Sequence, residues 1–259
     1  MRQTHRRTSF LRADERTASY GQSGYSLVEL MVATVVLSVV MAAAYGNLIS
    51  QMRTYATERL LTETEDDARV AMRILTDQIE MAGFGVPIAA TPSSATRIVT
   101  AAPTELSFWT KVTAAHTYLA AAAAVGATSI VVASATGLAK GQKIYVSDVN
   151  RWYLGTIQSI SGSTVALNPT LTYAVGAGSL VTPVEQVTFK LVGTELQRNG
   201  KRFIKNVTGL TFAYDAVTPT AIRQITVTLS VQTRGVSATT RKRIHESLSV
   251  KAVPPNLAL

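Results

Sequence analysis

Residues 24–37 read GYSLVELMVATVVL and open a long apolar stretch near the start of the chain. From Leu30 to Leu48, nineteen consecutive residues carry no charge. As a helix they would extend about 28 Å, close to the hydrocarbon thickness of a bilayer. Residues 1–24 hold five arginines and two carboxylates, and this excess predicts a cytoplasmic N-terminus with the remaining chain outside the inner membrane. The sequence therefore predicts one transmembrane helix.

A carboxylate, Glu29, stands immediately before the uncharged span. Such a group is costly in a membrane and usually has a function. A plain single-span anchor leaves both Gly24 and Glu29 unexplained. A cleaved secretory signal, with Ala42-Ala43-Ala44 as the small-residue cleavage site, is a second alternative. That alternative requires a rather long apolar stretch and does not account for the glutamate.

The run Gly24-Tyr25-Ser26-Leu27-Val28-Glu29-Leu30 resembles the prepilin signature of type IV pilins and type II secretion pseudopilins. The shared pattern is a glycine, an apolar hexamer interrupted once by glutamate, and an uninterrupted apolar span. The resemblance implies that a prepilin peptidase cuts after Gly24 and methylates the new amine of Tyr25. Tyr25 departs from the Phe that is commonest in the family, but it keeps an aromatic ring. The resemblance also implies that Glu29 guides subunit assembly by pairing with the Tyr25 amine of a neighbouring subunit.

The helix is predicted to continue beyond the membrane, from about Ser26 to Ala82, because residues 50–82 contain neither proline nor glycine. Gly83, Gly85 and Pro87 then predict its end. Apolar residues at three- and four-residue steps predict one buried face. Its members are Ala68, Met72, Leu75, Ile79 and Ala82.

Composition excludes several kinds of site. The chain has no cysteine, which rules out disulfides and thiolate metal ligands, and its three histidines lack metal-ligand spacing. The net charge of +9 falls to +6 without the first 24 residues. This excess is too small to indicate a nucleic-acid partner.

The first part of the head is predicted to be irregular. Residues 86–104 are rich in Ala, Thr, Ser and Pro and predict a loop, and one strand is expected around Glu105–Lys111. Leu119–Val125 predicts a short helix or a linker. Residues 127–183, here called the β-module, predict a compact insertion of short strands. These strands are expected at Ser129–Ala133, Lys143–Ser147, Leu154–Ile160, Thr164–Leu167 and Gly178–Val181, with Trp152 and Tyr153 packed in a core or exposed on the surface.

Longer strands are predicted in residues 184–259. Val187–Val192 and Glu195–Arg198 suit a hairpin, and Asn199-Gly200 is a strong two-residue turn into Arg202–Lys205. Alternating apolar residues then predict antiparallel strands with one buried face. These lie within Leu210–Tyr214, Ala221–Thr233 and Arg241–Val253.

Two further passages resemble PilW-like minor pilins and the related J-type minor pseudopilins. They are Arg73–Gly85, which ends in Ala-Gly-Phe-Gly, and the final strands closing at Lys251-Ala252-Val253. The resemblance covers residues 25–85 and 184–253 and leaves the β-module outside it.

No catalytic grouping is apparent in the head. The sequence lacks a phosphate-binding loop and a nucleophile elbow, and His116 and His245 have no identifiable partner. Asp148 and Asn150 supply too few oxygens for calcium. Two basic clusters remain, which are either solvated turns or, on a shared face, a site for an acidic surface or DNA. They are Arg198, Lys201, Arg202 and Lys205, and Arg241, Lys242 and Arg243.

The sequence thus predicts an α+β protein in which a long N-terminal transmembrane and amphipathic helix packs on an antiparallel β-sheet head with an inserted all-β module. The expected segments are 1–24 (leader), 25–49 and 50–85 (the two helix halves), 86–126 (loop and first strand), 127–183 (β-module) and 184–259 (C-terminal sheet). We expect a non-enzymatic minor pilin without cofactor or metal, which primes assembly or forms the tip of a type IV pilus. Its expected partners are other minor and major pilins, the prepilin peptidase, the inner-membrane assembly platform and the inner membrane, but not nucleic acid. A type II secretion pseudopilin, a pilus-tip adhesin or DNA-binding module, and an exported enzyme are the alternatives.

Overall fold

The computed structural model describes Gly24, residues 26–88, 95–111 and 114–257. The chain divides into two compact units, residues 1–52 and 53–259. One helix, α1 (Leu27–Glu80), contains 54 residues and includes the whole apolar stretch. The other described elements are mostly strands, and every strand pairing is antiparallel. The structure therefore confirms the α+β class, with a long apolar N-terminal helix and an antiparallel sheet head.

The second half of α1 buries one stripe of side chains against the head. Leu75 and Ile79 are fully buried, and Ala82 just beyond the helix is buried as well. The predicted face is confirmed, and the structure adds Thr64 and Ala71 to it. The apolar side chains of the stripe share one core with residues of the strands, so the stripe is the face by which α1 packs on the head.

The helix ends in a turn that is tied to the head. Gly83 and Gly85 both have φ of 79°, a left-handed conformation that side chains with a Cβ rarely adopt. The backbone N–H of Gly83 donates to the Trp109 carbonyl (2.8 Å), and the Lys111 N–H donates to the Phe84 carbonyl (2.8 Å). The predicted stop is confirmed, and it also fixes the direction in which the chain leaves the helix.

The larger sheet has ten strands arranged around one long strand, β8. Its elements are β1 (Ile98–Ala102), β2 (Glu105–Thr110), β3 (Thr117–Tyr118), β4 (Ser129–Val131), β5 (Lys143–Ser147), β6 (Trp152–Ser161), β7 (Thr164–Asn168), β8 (Leu180–Val192), β9 (Glu195–Arg198) and β10 (Lys201–Lys205). The main order is β1-β2-β8-β5-β6-β7-β4. Strand β3 and strand β9 also pair with β8, and β10 pairs with β9. Asn199 and Gly200 have φ of 51° and 73°, which confirms the predicted two-residue turn between β9 and β10.

A second sheet has three strands in the order β11-β12-β13. They are β11 (Val207–Tyr214), β12 (Ile225–Gln232) and β13 (His245–Ala252), and a short 3-10 helix follows at Pro255–Leu257. Every second residue of β12, from Ile225 to Val231, is buried. The alternation predicted from sequence is therefore confirmed, although β12 and β13 are shorter than the expected runs.

Three groups of buried side chains hold residues 53–259 together. The first joins α1 to strands of both sheets through residues such as Leu75, Phe189 and Val227. The second fills the β-module. The third is small, and it packs Tyr145 of β5 with Trp109 of β2. Because this third group contains residues of β2 and β5, the strands on either side of β8, it ties the β-module to the rest of the head.

Two predictions for the first part of the head are each wrong in part. Residues 86–104 are not only a loop, because β1 lies there, pairs with β2 and buries Ile98. The Ile98-Val99-Thr100 run was the missed β-branched signal. Of the two forms predicted for Leu119–Val125, the short helix is wrong: Leu119 bridges to Val132 and Ala123 bridges to Val175. Strand partners outweigh the helix propensity of alanine here.

The predicted limits of the β-module also differ from the observed strands. At its start, β3 precedes residue 127 and belongs with the strands that follow. At its end, β8 passes through residue 183 without a break, pairing with β5 at Leu180–Val184 and with β2 at Glu185–Lys190. Tyr153 packs in the core, and Trp152 contacts Tyr145 edge-on at 5.6 Å.

Gly85→Ala is predicted to destabilise the head by about 3 kcal/mol. The new Cβ would combine left-handed strain with contacts at 2.8 Å from Lys111 Cβ and 3.1 Å from Thr182 Cγ2. The control is Gly126→Ala, which has a similar φ of 77° but no atom within 4 Å of the new Cβ, and should cost about 1 kcal/mol. Urea unfolding of the detergent-solubilised chain measures both variants. Equal losses would show that the contacts at Gly85 do not matter.

Replacing residues 118–180 with Asn-Gly is predicted to leave a folded head with an exposed Trp109. Thr117 pairs with Val181 across the two strands. The Leu119 N–H donates to the Ser179 carbonyl (2.9 Å), and hydrogen-bonded pairs alternate along an antiparallel ladder, so Thr117 and Val181 also occupy a hydrogen-bonded position. A two-residue turn can join such a pair. Loss of Tyr145 uncovers Trp109, so its emission should shift to longer wavelength. The reference is the full chain with Trp152→Phe, since the chain has only two tryptophans. Loss of cooperative melting would show instead that the replaced segment is essential to the core.

Candidate functional site: the processing motif and the membrane helix

Gly24 lies in an exposed, non-helical position three residues before α1 begins. A Cβ added at Gly24 would meet no atom within 4 Å. The fold of the described chain therefore does not require glycine at this position. A requirement for glycine here would have to come from another molecule that binds this segment. Recognition by a prepilin peptidase would be such a requirement.

The start of α1 is defined by Ser26. The Leu30 N–H donates to the Ser26 carbonyl (3.1 Å), which makes Ser26 the cap residue and Glu29 the third residue of the helix. A serine followed by glutamate at this spacing is typical of a capping box. Tyr25, the predicted new N-terminus, and the leader 1–23 lie outside the described residues.

Glu29 is exposed in the first turn of the helix. The positive end of the helix dipole favours a carboxylate there. Among the described residues, none forms an ion pair with it. Its charge is therefore available to a partner group beyond the described part of the chain.

The membrane-spanning part of α1 exposes its apolar side chains all round. No residue from Ser26 to Leu48 is buried. The helix is long and apolar enough to cross a bilayer. Two of its hydroxyl groups are satisfied internally: Thr34 donates to the Leu30 carbonyl (3.0 Å), and Ser38 donates to the Thr34 carbonyl (2.6 Å). These bonds leave no polar side-chain group of Thr34 or Ser38 that needs water, as a bilayer requires.

The head groups singled out in the sequence show no catalytic arrangement. His116 is exposed, lies 3.2 Å from the Ala114 carbonyl and contacts the Tyr118 ring. His245 is exposed at the start of β13. Asp148 accepts the N–H groups of Asn150 (2.8 Å) and Arg151 (2.7 Å), so it stabilises a turn. Among the described residues, no three His, Asp or Glu side chains group to hold a metal ion.

The two basic clusters differ in their surroundings. In the first, Arg198 donates to Gln78 (2.8 Å) and lies 3.7 Å from Glu185, and Arg202 lies 3.3 Å from Glu195. In the second, Arg241, Lys242 and Arg243 are exposed in the β12–β13 connection. No salt bridge to any of these three occurs within the described chain. In the described chain, two of the four residues of the first cluster, Arg198 and Arg202, are near a carboxylate, whereas all three residues of the second cluster lack one.

Comparison with known proteins gives one result. Residues 20–45 match the family model described as the prokaryotic N-terminal methylation motif. The motif supports a type IV pilin-like protein. The matched residues include Gly24, Tyr25 and Glu29, and proteins with such a motif are generally processed by a prepilin peptidase and assemble with other pilins. The family is structural rather than enzymatic. Searches of curated proteins and of solved structures found no match for this chain.

Sequence reasoning found the residues of the motif but missed the position of the β12–β13 connection. Ser237 of this connection lies 3.3 Å from the hydroxyl of Thr57 on α1, and the two are 180 positions apart. The sequence signal was slight: a Ser-Ala-Thr-Thr stretch and a threonine on a charged helix face.

Gly24→Val is predicted to leave the precursor uncleaved, because a bulky side chain should not fit where a peptidase reads glycine. In the unchanged protein, intact mass and N-terminal sequencing should find a chain that begins with N-methylated Tyr25. Gly46→Val is the matched control, since a Cβ there also meets no atom within 4 Å. Normal processing of Gly24→Val, or a chain that begins at Tyr45 after signal cleavage, would contradict the prediction.

Proposed function

We propose that this protein is a minor pilin that primes assembly, or forms the tip, of a type IV pilus. The observation that carries the proposal is the combination within one helix of a processing motif, an uncovered apolar half and a half that packs into a folded head. Such a chain is built to stay in a membrane until other helices replace the lipid around it.

The Ala82–Gly85 turn also supports the minor-pilin assignment. Its left-handed glycines and its hydrogen bonds to β2 give a structural role to the passage that resembles PilW-like minor pilins. The antiparallel strands β11 to β13 correspond to the second passage with that resemblance.

Glu29 provides the proposed assembly contact. Cleavage after Gly24 would create a cationic amine on Tyr25 at the edge of the apolar segment. Within a bundle of helices, the carboxylate of one subunit and the amine of its neighbour would each be penalised alone and stabilised together. A pair of unit charges 4 Å apart attracts by about 4 kcal/mol at an effective dielectric near 20. The pair would draw an incoming subunit to the filament and set its axial position.

Glu29→Ala is predicted to insert in the membrane at least as well as the unchanged chain but to lose its partners. Because 1.4 kcal/mol already changes an equilibrium tenfold, we expect a decrease of at least tenfold in co-purification with other pilins from detergent-solubilised membranes. Glu29→Gln should behave similarly, since an amide carries no charge, and cleavage after Gly24 should persist in both variants.

The matched control for this experiment is Glu58→Ala, which removes an exposed carboxylate from the same helix outside the apolar span. It should co-purify normally. Unchanged co-purification of Glu29→Ala would refute the pairing. Recovery with secretion pseudopilins in place of pilins would assign the chain to a type II secretion filament.

A further inference from the structure

The connection between β12 and β13, residues 234–243 and here called the basic loop, follows the surface of α1. Arg234 forms an ion pair with Asp67 (2.8 Å), a Cβ at Gly235 would lie 3.5 Å from the Leu60 side chain, and Ser237 contacts Thr57 (3.3 Å). These contacts occur at successively earlier positions of the helix. The basic loop therefore runs along α1 in the direction of its N-terminus.

The end of the basic loop is held in a defined shape. The Ser237 hydroxyl accepts the N–H groups of Thr239 and Thr240 (both 3.1 Å), and the Ser237 N–H donates to the Lys242 carbonyl (2.8 Å). The Arg241 N–H donates to the Ser237 carbonyl (2.9 Å). This closed turn presents Arg241, Lys242 and Arg243 to solvent together.

Chain length places the basic loop close to a membrane. Thr57 follows Leu48, the last residue of the uncharged span, by nine positions of α1, about 14 Å of helix. The polar headgroup layer of a bilayer accounts for about 6 Å of this length. The remaining distance of about 8 Å is one Debye length at physiological salt, so headgroup charges act on the loop at any angle of the helix.

Residues near Thr57, where the basic loop contacts α1, are also suited to a membrane surface. Arg53 and Tyr55 are exposed in the four residues before Thr57, and Val236 of the basic loop is 57% exposed. Tyrosine and arginine are enriched where a helix leaves the membrane. Of the neighbouring acidic residues, Glu63 is paired with Arg59 (2.9 Å), while Glu58 remains exposed. Positive charge thus dominates at this level of the helix.

We propose that the basic loop binds anionic phospholipid headgroups and holds the head on the membrane surface before the subunit enters a filament. The inference rests on membrane insertion of α1 and does not depend on processing or on the identity of the filament. Lipid is favoured over DNA because the loop is tethered to the bilayer and contains no aromatic residue for base stacking. Entry into a filament would require the loop to release these headgroups.

The test uses the full chain with Ala238→Cys, because the chain has no cysteine of its own and Ala238 is exposed in the basic loop. The chain is reconstituted in vesicles of phosphatidylcholine alone or with 30% phosphatidylglycerol (about a third of the lipid). A membrane-impermeant, environment-sensitive fluorophore then labels only heads on the outer surface. We expect blue-shifted, brighter emission in the anionic vesicles that is lost at about 1 M salt, where the Debye length is about 3 Å.

The decisive variant is Arg241→Gln/Lys242→Gln/Arg243→Gln. Arg241 has φ of 54°, and glutamine has a Cβ as arginine does, so the substitution leaves the backbone strain at this position unchanged. Each basic residue near an anionic surface is worth about a fivefold change, so the ratio of bound to free loop should fall by roughly a hundredfold. The control is Lys140→Gln/Lys143→Gln/Arg151→Gln, which removes the same charge from exposed positions outside the basic loop. It should bind the vesicles normally.

Three outcomes would overturn the proposal. One is equal emission in neutral and anionic vesicles, and a second is an equal loss in both triple variants. The third is a response to a DNA duplex added to neutral vesicles without a response to phosphatidylglycerol, which would assign the loop to nucleic acid. Because no peptidase or other pilin is present, failure here would leave the proposed filament function untouched, and failure of the Glu29 experiment would leave this result untouched.

Discussion

The apolar side chains of α1 between Leu27 and Leu48 have to be removed from water by a bilayer or by other subunits, because the described chain leaves all of them exposed. Apolar patches of this size do not persist on soluble monomers. In the proposed assembly, the same surface would have to suit lipid first and neighbouring helices afterwards. An apolar helix whose Thr34 and Ser38 hydroxyls are bonded internally suits both, and in the proposed pairing Glu29 at its edge would set the axial position that the apolar surface does not define.

The helix could be predicted well because its two halves carry different and strong sequence signals. An uncharged span gives the first half, and three- and four-residue spacing gives the buried stripe from Ala68 to Ile79. The motif residues were equally readable, since nothing in the described fold explains Gly24. Signals of this kind depend only on residues near one another in the chain.

The head was harder to predict because its strands depend on distant partners. Strand β1 exists because Ile98 is buried against β2, and the alanine-rich segment after β3 is extended because Leu119 and Ala123 bridge to distant residues. The basic loop shows the same difficulty: its charges were visible in the sequence, but its position beside Thr57 required the structure. Composition reveals which residues are basic, whereas only the fold shows which of them lack a counter-charge.

Strand β8 has a mechanical consequence for the proposed filament subunit. It continues without a break from its pairing with β5 to its pairing with β2, and every residue from Glu185 to Lys190 has a partner on β2. Ladder hydrogen bonds lie perpendicular to the strand, so tension along β8 loads them together in shear instead of opening them one after another. Tension applied to the strands of the β-module would therefore be transmitted by β8 to the core around α1.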